Sequence, residues 1–178
     1  VTFDWAGTDA MRIGLVVHRC LQHAAERQLT DWQDAGRVVG MLIEEGVQPA
    51  GLSAAAQQVN QAMQTTMRDE QGQWLMAAHE NAAAELPLTV VVEGRIERLV
   101  IDRTFIADGV RWIIDYKTSR HEGSDLEGFL AQEAARYTPQ LTRYAAALHS
   151  LEPERAVRAA LYFPLLSVLR EVTVGGAG

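Results

Sequence analysis

The stretch Ile113-Ile114-Asp115-Tyr116-Lys117-Thr118-Ser119 decides how this chain folds on paper. An apolar approach, Trp112-Ile113-Ile114, runs into an acid and a base two residues apart. In a strand, residues i and i+2 point to one face. Asp115 and Lys117 therefore project together, and Tyr116 points the other way with Ile114 and Trp112. An Asp and a Lys at the end of an apolar strand carry a desolvation cost that a chain keeps when it uses the pair.

The preceding run, Leu99-Val100-Ile101-Asp102-Arg103-Thr104-Phe105, is also strand-like, and Asp108-Gly109 lies between the two. Asp-Gly is a strong signal for a two-residue type I′ hairpin. With those two residues as the turn, the sixth residue before it, Asp102, faces the sixth after it, Asp115. Phe105 faces Trp112 on the other side of the hairpin. Directly opposed side chains have Cβ atoms roughly 4.5–5.5 Å apart, and like charges so placed repel. Two carboxylates there call for a shared proton or a cation. Oxygen ligands at that spacing suit Mg²⁺ or Mn²⁺, with Lys117 one step along the same face.

Asp102 followed by Asp115-Tyr116-Lys117 resembles the signature of the PD-(D/E)XK nucleases. The fuller string Gly94…Ile101-Asp102-Arg103…Ile114-Asp115-Tyr116-Lys117-Thr118…Gln140-Leu141-x-x-Tyr144 is similar to the RecB-type branch, which forms the nuclease domains of RecB and AddA helicase–nucleases. The likeness covers the C-terminal half, plus His18 near the start. It departs from the nominal pattern at the first motif, where Ile101 stands in place of proline.

Composition sets bounds on this reading. With 178 residues, 48% hydrophobic and 22% charged, the chain has the length and apolar content of one globular domain with a real core. No apolar run approaches the roughly 20 residues of a membrane span, and no signal peptide is recognisable. A start at Val1 is expected of a piece excised from something longer. The single cysteine, Cys20, leaves no intramolecular disulfide and no four-cysteine site, and a reducing cytoplasm is the simplest compartment. It also argues against the four-cysteine iron–sulfur cluster of some RecB-type nucleases. The net charge of −7 weighs against a free-standing DNA binder. Two explanations stand together: some acids are metal ligands, and other domains supply most of the DNA affinity. No Gly-x-x-x-x-Gly-Lys-Ser/Thr loop occurs, so this sequence carries no P-loop ATP site.

Along the chain, a helix is expected over residues 9–27, capped by Thr8-Asp9, with Met11, Leu15, Val16, Cys20, Leu21 and Ala24 as its apolar face. His18 falls beside that stripe. A second helix is expected over 31–45, ended by Gly46 and then Pro49, and a third from a Ser53 cap to Asp69, packed through Ala54, Val59, Ala62, Met63 and Met67. Trp74–His79 suggests a short fourth. The sheet then begins at Glu85, with Leu88–Val92 as strand. A turn at Glu93-Gly94 would place Glu85 opposite Asp102, but Glu-Gly is a poor type I′ pair and Pro87 interrupts the ladder, so that register stays open. Ser124-Asp125-Leu126-Glu127 has a capping-box pattern opening a helix to Tyr137. Thr138-Pro139 fits the start of another, on which Gln140 and Tyr144 share a face. Strands over 158–163 and 168–174 follow, the first reached from Lys117 by a crossover. The tail 175–178 is expected to be mobile.

The resemblance implies an α/β PD-(D/E)XK nuclease fold: one nuclease domain over 1–178, with a helical section at about 8–80 and a mixed, helix-flanked sheet at about 85–174. It implies a metal-dependent deoxyribonuclease, an exonuclease module of an ATP-dependent helicase–nuclease of DNA repair and recombination. Asp102, Asp115 and Lys117 would be catalytic, with Mg²⁺ (or Mn²⁺) held by Asp102, Asp115, His18 and the Tyr116 carbonyl. Thr118, Gln140 and Tyr144 would line the DNA channel, and Glu85 is a secondary candidate. His18 has two readings, a core-edge histidine or a ligand in the Gly14-x-x-x-His18 setting of the branch. Glu85 is equally readable as a solvated acid. The partners implied are DNA, in single-stranded form, and a helicase motor, with no membrane. Lys117, Arg120, Arg136 and Arg143 are the basic residues for a strand groove. The alternative is a nuclease-like fold kept as an idle DNA-binding or assembly module, and the acidic balance is the point in its favour.

Overall fold

The computed structural model describes residues 5–92 and 94–175; the expectations for Val1, for Glu93 as a turn residue and for 176–178 lie outside them. The chain divides into two compact units, one running to Ala77 and the other from Ala78.

The first unit is helical: α1 Trp5–Arg27, α2 Ala35–Glu44, α3 Pro49–Arg68 and α4 Glu70–Met76. In α1 the buried residues are Ile13, Val16, Val17, Cys20, Leu21, Ala24 and Ala25, while Met11 and Leu15 are exposed. The buried stripe is thus turned from the expected one, because Ile13 and Val17 continue the three-and-four spacing that Met11 and Leu15 leave. α2 begins at Ala35 rather than 31, since Asp31 bonds the Trp32 N–H and holds the chain in a turn. α3 starts at Pro49 with Gln48 as N-cap, not at Ser53. Pro49 lacks the N–H that a first helical residue leaves unused, so it opens this helix instead of stopping the one before. Val59, Ala62, Met63 and Met67 are buried as expected, whereas Ala54 is exposed. Asp69 then caps α4, accepting from the Gly72 N–H at 2.9 Å. Cys20 is fully buried, its Sγ 3.9 Å from Met41 Sδ. Burial pushes its thiol up to about 12, which leaves it an unreactive core residue.

The second unit holds a five-stranded sheet in the order β1-β2-β3-β4-β5: β1 Glu80–Val92, β2 Arg95–Ala107, β3 Val110–Tyr116, β4 Val157–Phe163 and β5 Val168–Val172. All neighbours are antiparallel except β3 and β4, which are parallel and joined through the long helix α5, Leu126–Leu151. This is an α/β architecture with a mixed sheet. Leu130, Leu141, Tyr144, Ala145 and Leu148 of α5 share one core with Leu99, Ile101, Ile113, Ala159, Leu161 and Phe163 of the sheet.

The β2–β3 hairpin has the expected register, from Ala107↔Val110 through Phe105↔Trp112 to Arg103↔Ile114. Asp108 and Gly109 have φ of +50° and +76°, the paired left-handed residues that a type I′ turn requires. The β1–β2 register, open on sequence grounds, matches the turn arithmetic: Ala84↔Arg103 and Leu86↔Ile101 bracket Glu85 and Asp102. Pro87 is accommodated because β1 is an edge strand. β1 starts at Glu80, ahead of the expected Glu85, through a register shift between Glu80 and Ala83 and a left-handed Asn81.

The helix between β3 and β4 is one element, not two. Pro139 lies inside it on the exposed side, and the Thr138 hydroxyl donates to the Ala134 carbonyl at 2.7 Å. A proline removes one helical bond, but burial on both sides of it holds the helix through the gap. Its N-cap is Asp125, accepting from Gly128 N–H at 2.8 Å, in place of the capping box expected from Ser124.

The far end of this unit is tied by Arg111, 6% exposed. Its guanidinium grips the Glu152 carboxylate with both arms and donates to the Asn81 carbonyl at 3.0 Å. Hydrogen bonds from Arg111 hold the Glu152 carboxyl below its ordinary value of 4.5. A carboxyl with a depressed folded pKa adds stability above its unfolded pKa and loses it as pH falls through the folded value. We therefore expect Glu152→Gln to cost about 1.5–3 kcal/mol at pH 7, the range for a hydrogen bond to a charged group. The difference in Tm from wild type should shrink as pH falls below about 4.5. A difference independent of pH would show that the carboxylate charge contributes nothing to the clamp.

Candidate active site at the end of β3

Three elements of the second unit bring the site together: β2, the end of β3, and α5. Asp115 is 4% exposed at the end of β3. Its Oδ2 lies 2.6 Å from Lys117 Nζ, and Gln140 Nε2 donates to its Oδ1 at 3.3 Å. The expected pairing of Asp115 and Lys117 on one face is thus a direct, largely buried ion pair. Asp102 sits one position beyond the last paired residues of the β2–β3 ladder. Its Oδ2 accepts the Tyr116 backbone N–H at 2.8 Å. Asp115 thus meets an ammonium and Asp102 a peptide N–H.

Glu85 has φ of +50°, a left-handed residue within β1. The register places it in the row of Asp102, so acids from three neighbouring strands, Glu85, Asp102 and Asp115, fall along one line across the sheet. Tyr144 is buried, and its hydroxyl accepts from Gln140 Nε2 at 2.8 Å. Burial raises the pKa of the Tyr144 phenol, and the charges of Asp115 and Asp102 push the same way, so it keeps its proton as a donor. The Tyr116 ring is buried at right angles to Tyr162, and burial raises its phenol too. Thr118 is half-buried in the segment after β3.

Three of the basic residues expected to form a strand groove lie at the surface of the second unit. Arg120 is exposed; Arg136 lies 3.7 Å from Glu133 and Arg143 3.6 Å from Glu97, both on solvent-facing side chains. The Arg143–Glu97 pair is a surface contact of the weak kind, whereas Glu133 is buried. His18 belongs to α1 in the first unit. Its Nδ1 donates to the Gly14 carbonyl at 2.9 Å, which assigns the lone pair of the neutral ring to Nε2.

Three residues of this neighbourhood escaped the sequence reading: Ser119, Glu133 and Tyr137. The Ser119 hydroxyl is 3.2 Å from Glu133 Oε2, and Lys117 Nζ lies 3.6 Å from the centre of the Tyr137 ring. The available signal was the spacing of Glu133, Tyr137, Gln140 and Tyr144 by four, three and four, one helical face. Breaking the helix at Pro139 separated the first two from the last two.

As a donor set, two carboxylates and a backbone carbonyl are hard oxygen ligands. Among the described residues no three His, Cys, Asp or Glu side chains converge as a complete ligand cluster. Mg²⁺ is commonly held by one or two carboxylates while keeping several waters, so the pair Asp102 and Asp115 fits that ion's demands.

A model of the PD-(D/E)XK nuclease superfamily matches residues 5–172. Nucleases of that superfamily generally use divalent metal ions. The chain is 39% identical over 79 residues to an ATP-dependent helicase/nuclease protein of Oenococcus oeni. Those residues are 44% of this chain and 5% of that protein, so the likeness spans a small part of the relative. Among the described residues no helix is long and apolar enough to cross a membrane.

Asp102 caps a backbone N–H, and that makes its loss structural as well as chemical. Asp102→Ala leaves the buried Tyr116 N–H without its acceptor, at a cost of about 1–3 kcal/mol. Asp102→Asn keeps an acceptor and should recover most of that stability. Chemical denaturation of both variants checks this; equal losses would show that the N–H bond is not what Asp102 contributes.

Proposed function

The chain belongs to the PD-(D/E)XK nuclease superfamily, and from that premise we propose that it is a metal-dependent deoxyribonuclease domain, an exonuclease module working with a helicase motor. The observation that carries the reading is the Asp115–Lys117 ion pair at 2.6 Å, one strand from the Asp102 carboxylate. A buried acid–base pair beside a second acid is costly to fold and useful at a scissile phosphate.

Asp102, Asp115 and the Tyr116 carbonyl would hold Mg²⁺ or Mn²⁺, with His18 contributing Nε2. Bound there, the ion supplies Lewis acidity toward phosphate oxygens. Lys117, a compact cation on a flexible stem, orients the attacking water and offsets charge building on the phosphate. Gln140 bridges Asp115 and Tyr144 and keeps the carboxylate aimed. Tyr144, with its proton retained, and Thr118 donate to the backbone of the strand. Glu85 adds a third acid in the row, as a secondary ligand.

The substrate proposed is single-stranded DNA delivered by a motor, in the cytoplasm and in the service of repair or recombination. The named activity of the Oenococcus oeni protein supports the association with a helicase. So does the charge balance: 16 Lys and Arg against 23 Asp and Glu offer a local groove and little non-specific affinity. A strand held weakly by this domain is cut efficiently when another domain supplies it at high effective concentration. The same acidity favours a second reading, an idle nuclease-like module that binds or assembles without cutting.

Titration of Mg²⁺ and Mn²⁺ against a labelled single strand separates the two readings. Asp115→Ala should abolish metal-dependent cleavage. His18→Ala should weaken metal affinity by at least about tenfold, the scale seen for residues supporting a metal site, with a smaller effect on the Tm of the metal-free protein. Cleavage by Asp115→Ala at the wild-type rate under saturating metal removes that residue from the mechanism. An unchanged metal affinity in His18→Ala returns His18 to a packing role.

A further inference from the structure

The three contacts between the end of β3 and α5 form a matched series. Asp115 meets Gln140 at 3.3 Å, Lys117 meets the Tyr137 ring at 3.6 Å and Ser119 meets Glu133 at 3.2 Å. Residue numbers rise by two along the strand segment and fall by three and four along the helix. Two residues of extended chain advance about 6.7 Å, and three or four of helix about 4.5–6 Å, so an antiparallel strand and helix keep such contacts in step.

Tyr137 is half-buried, packed against the core of the unit, and presents its ring face to the Lys117 ammonium. Lysine has a four-carbon stem with many rotamers, and something must select one. Asp115 alone is a poor holder, because the proposed chemistry requires that carboxylate for a metal ion. A bound cation and the ammonium would then compete for the same oxygens. An aromatic face attracts an ammonium through its quadrupole without offering a ligand to Mg²⁺. The Glu133–Ser119 contact, buried at the Glu133 end, pins the chain two residues further on.

We infer that Tyr137 is a positioning residue that holds the Lys117 ammonium over its ring, so that Lys117 stays aimed at the site when Asp115 engages a metal. The inference rests on the nuclease reading for its functional consequence, and its geometry is testable without it.

The test uses the 178-residue chain with Tyr137→Phe, which keeps the ring, and Tyr137→Leu and Tyr137→Met, which keep apolar bulk and lose it. Two ring-free variants guard against one failing to fold. With a short single-stranded oligonucleotide and saturating Mn²⁺, the ring-free variants should lose about tenfold in kcat, the scale of a partly desolvated cation–π contact. KM should stay unchanged, and Tyr137→Phe should restore the rate. Lys117→Met is the silent control. Independently, the Lys117 Cε protons should show an upfield ring-current shift by NMR in wild type and Tyr137→Phe, lost in Tyr137→Leu and Tyr137→Met. Ring-free variants as fast as wild type beside a silent Lys117→Met overturn the inference and leave the nuclease reading standing. A wild type that cuts no faster than Lys117→Met sinks the nuclease reading instead, and the proton shifts then decide the placement: Lys117 protons unshifted in wild type overturn it.

Discussion

The buried ion pair of Asp115 and Lys117 is the constraint on which the second unit turns. An acid and an ammonium taken out of water lose several kcal/mol of hydration each, and their attraction recovers this only with good geometry and further hydrogen bonds. The pair has a 2.6 Å contact, a Gln140 amide on the other carboxylate oxygen, and an aromatic face under the ammonium. The Gln140 amide and the Tyr137 ring both come from α5. The helix is therefore more than the crossover that lets β3 and β4 run parallel; it returns over the strand end and supplies the groups that make the charges tolerable there. The opposite end of the same sheet is tied by Arg111 and Glu152, where a charge pair closes the fold without chemistry.

How much of this was legible depended on whether a local rule had a competitor. Asp108-Gly109 had none: two residues suited to left-handed backbone fix the hairpin, the hairpin fixes the register, and the register places Asp102 beside the end of β3. Pro139 had one. The local rule says that a proline opens a helix, but the buried residues Leu130 and Glu133 before it and Leu141 and Tyr144 after it hold α5 continuous. Tertiary packing overrode the local preference, and Glu133 and Tyr137 stayed hidden because their spacing to Gln140 spans the break. At Pro49 the error ran the other way, with a helix opener read as a stop. The turning of the α1 stripe away from Met11 and Leu15 had no local signal, since either set of apolar residues makes a face.

What the carboxylates touch also differs from what register alone implies. Opposed acids six residues either side of a turn suggest mutual repulsion relieved by one shared cation. In the fold Asp115 meets the Lys117 ammonium and Asp102 a peptide N–H, because the ladder stops one residue short of them and the Asp102 side chain replaces a strand acceptor for Tyr116 N–H. One consequence follows from that substitution. The peptide N–H and the ammonium each engage one oxygen of an acid, which orients the rest of the carboxylate group.

Glu85 extends the same logic to the sheet edge. A left-handed backbone at a glutamate costs about 1–2 kcal/mol relative to its ordinary strand conformation. Glycine would remove the strain, and Gly94 and Gly109 show the chain using glycine at positive φ elsewhere. A strained non-glycine residue persists where its side chain contributes something that glycine lacks. At this position the side chain is a carboxylate in the row of Asp102 and Asp115, bracketed by the regular pairs Ala84↔Arg103 and Leu86↔Ile101. Asp108 shares the left-handed backbone, but at the hairpin turn that requires it, whereas Glu85 lies inside a strand. The edge strand thus departs from regular geometry at the row of the acids, while the pairs on either side keep their register.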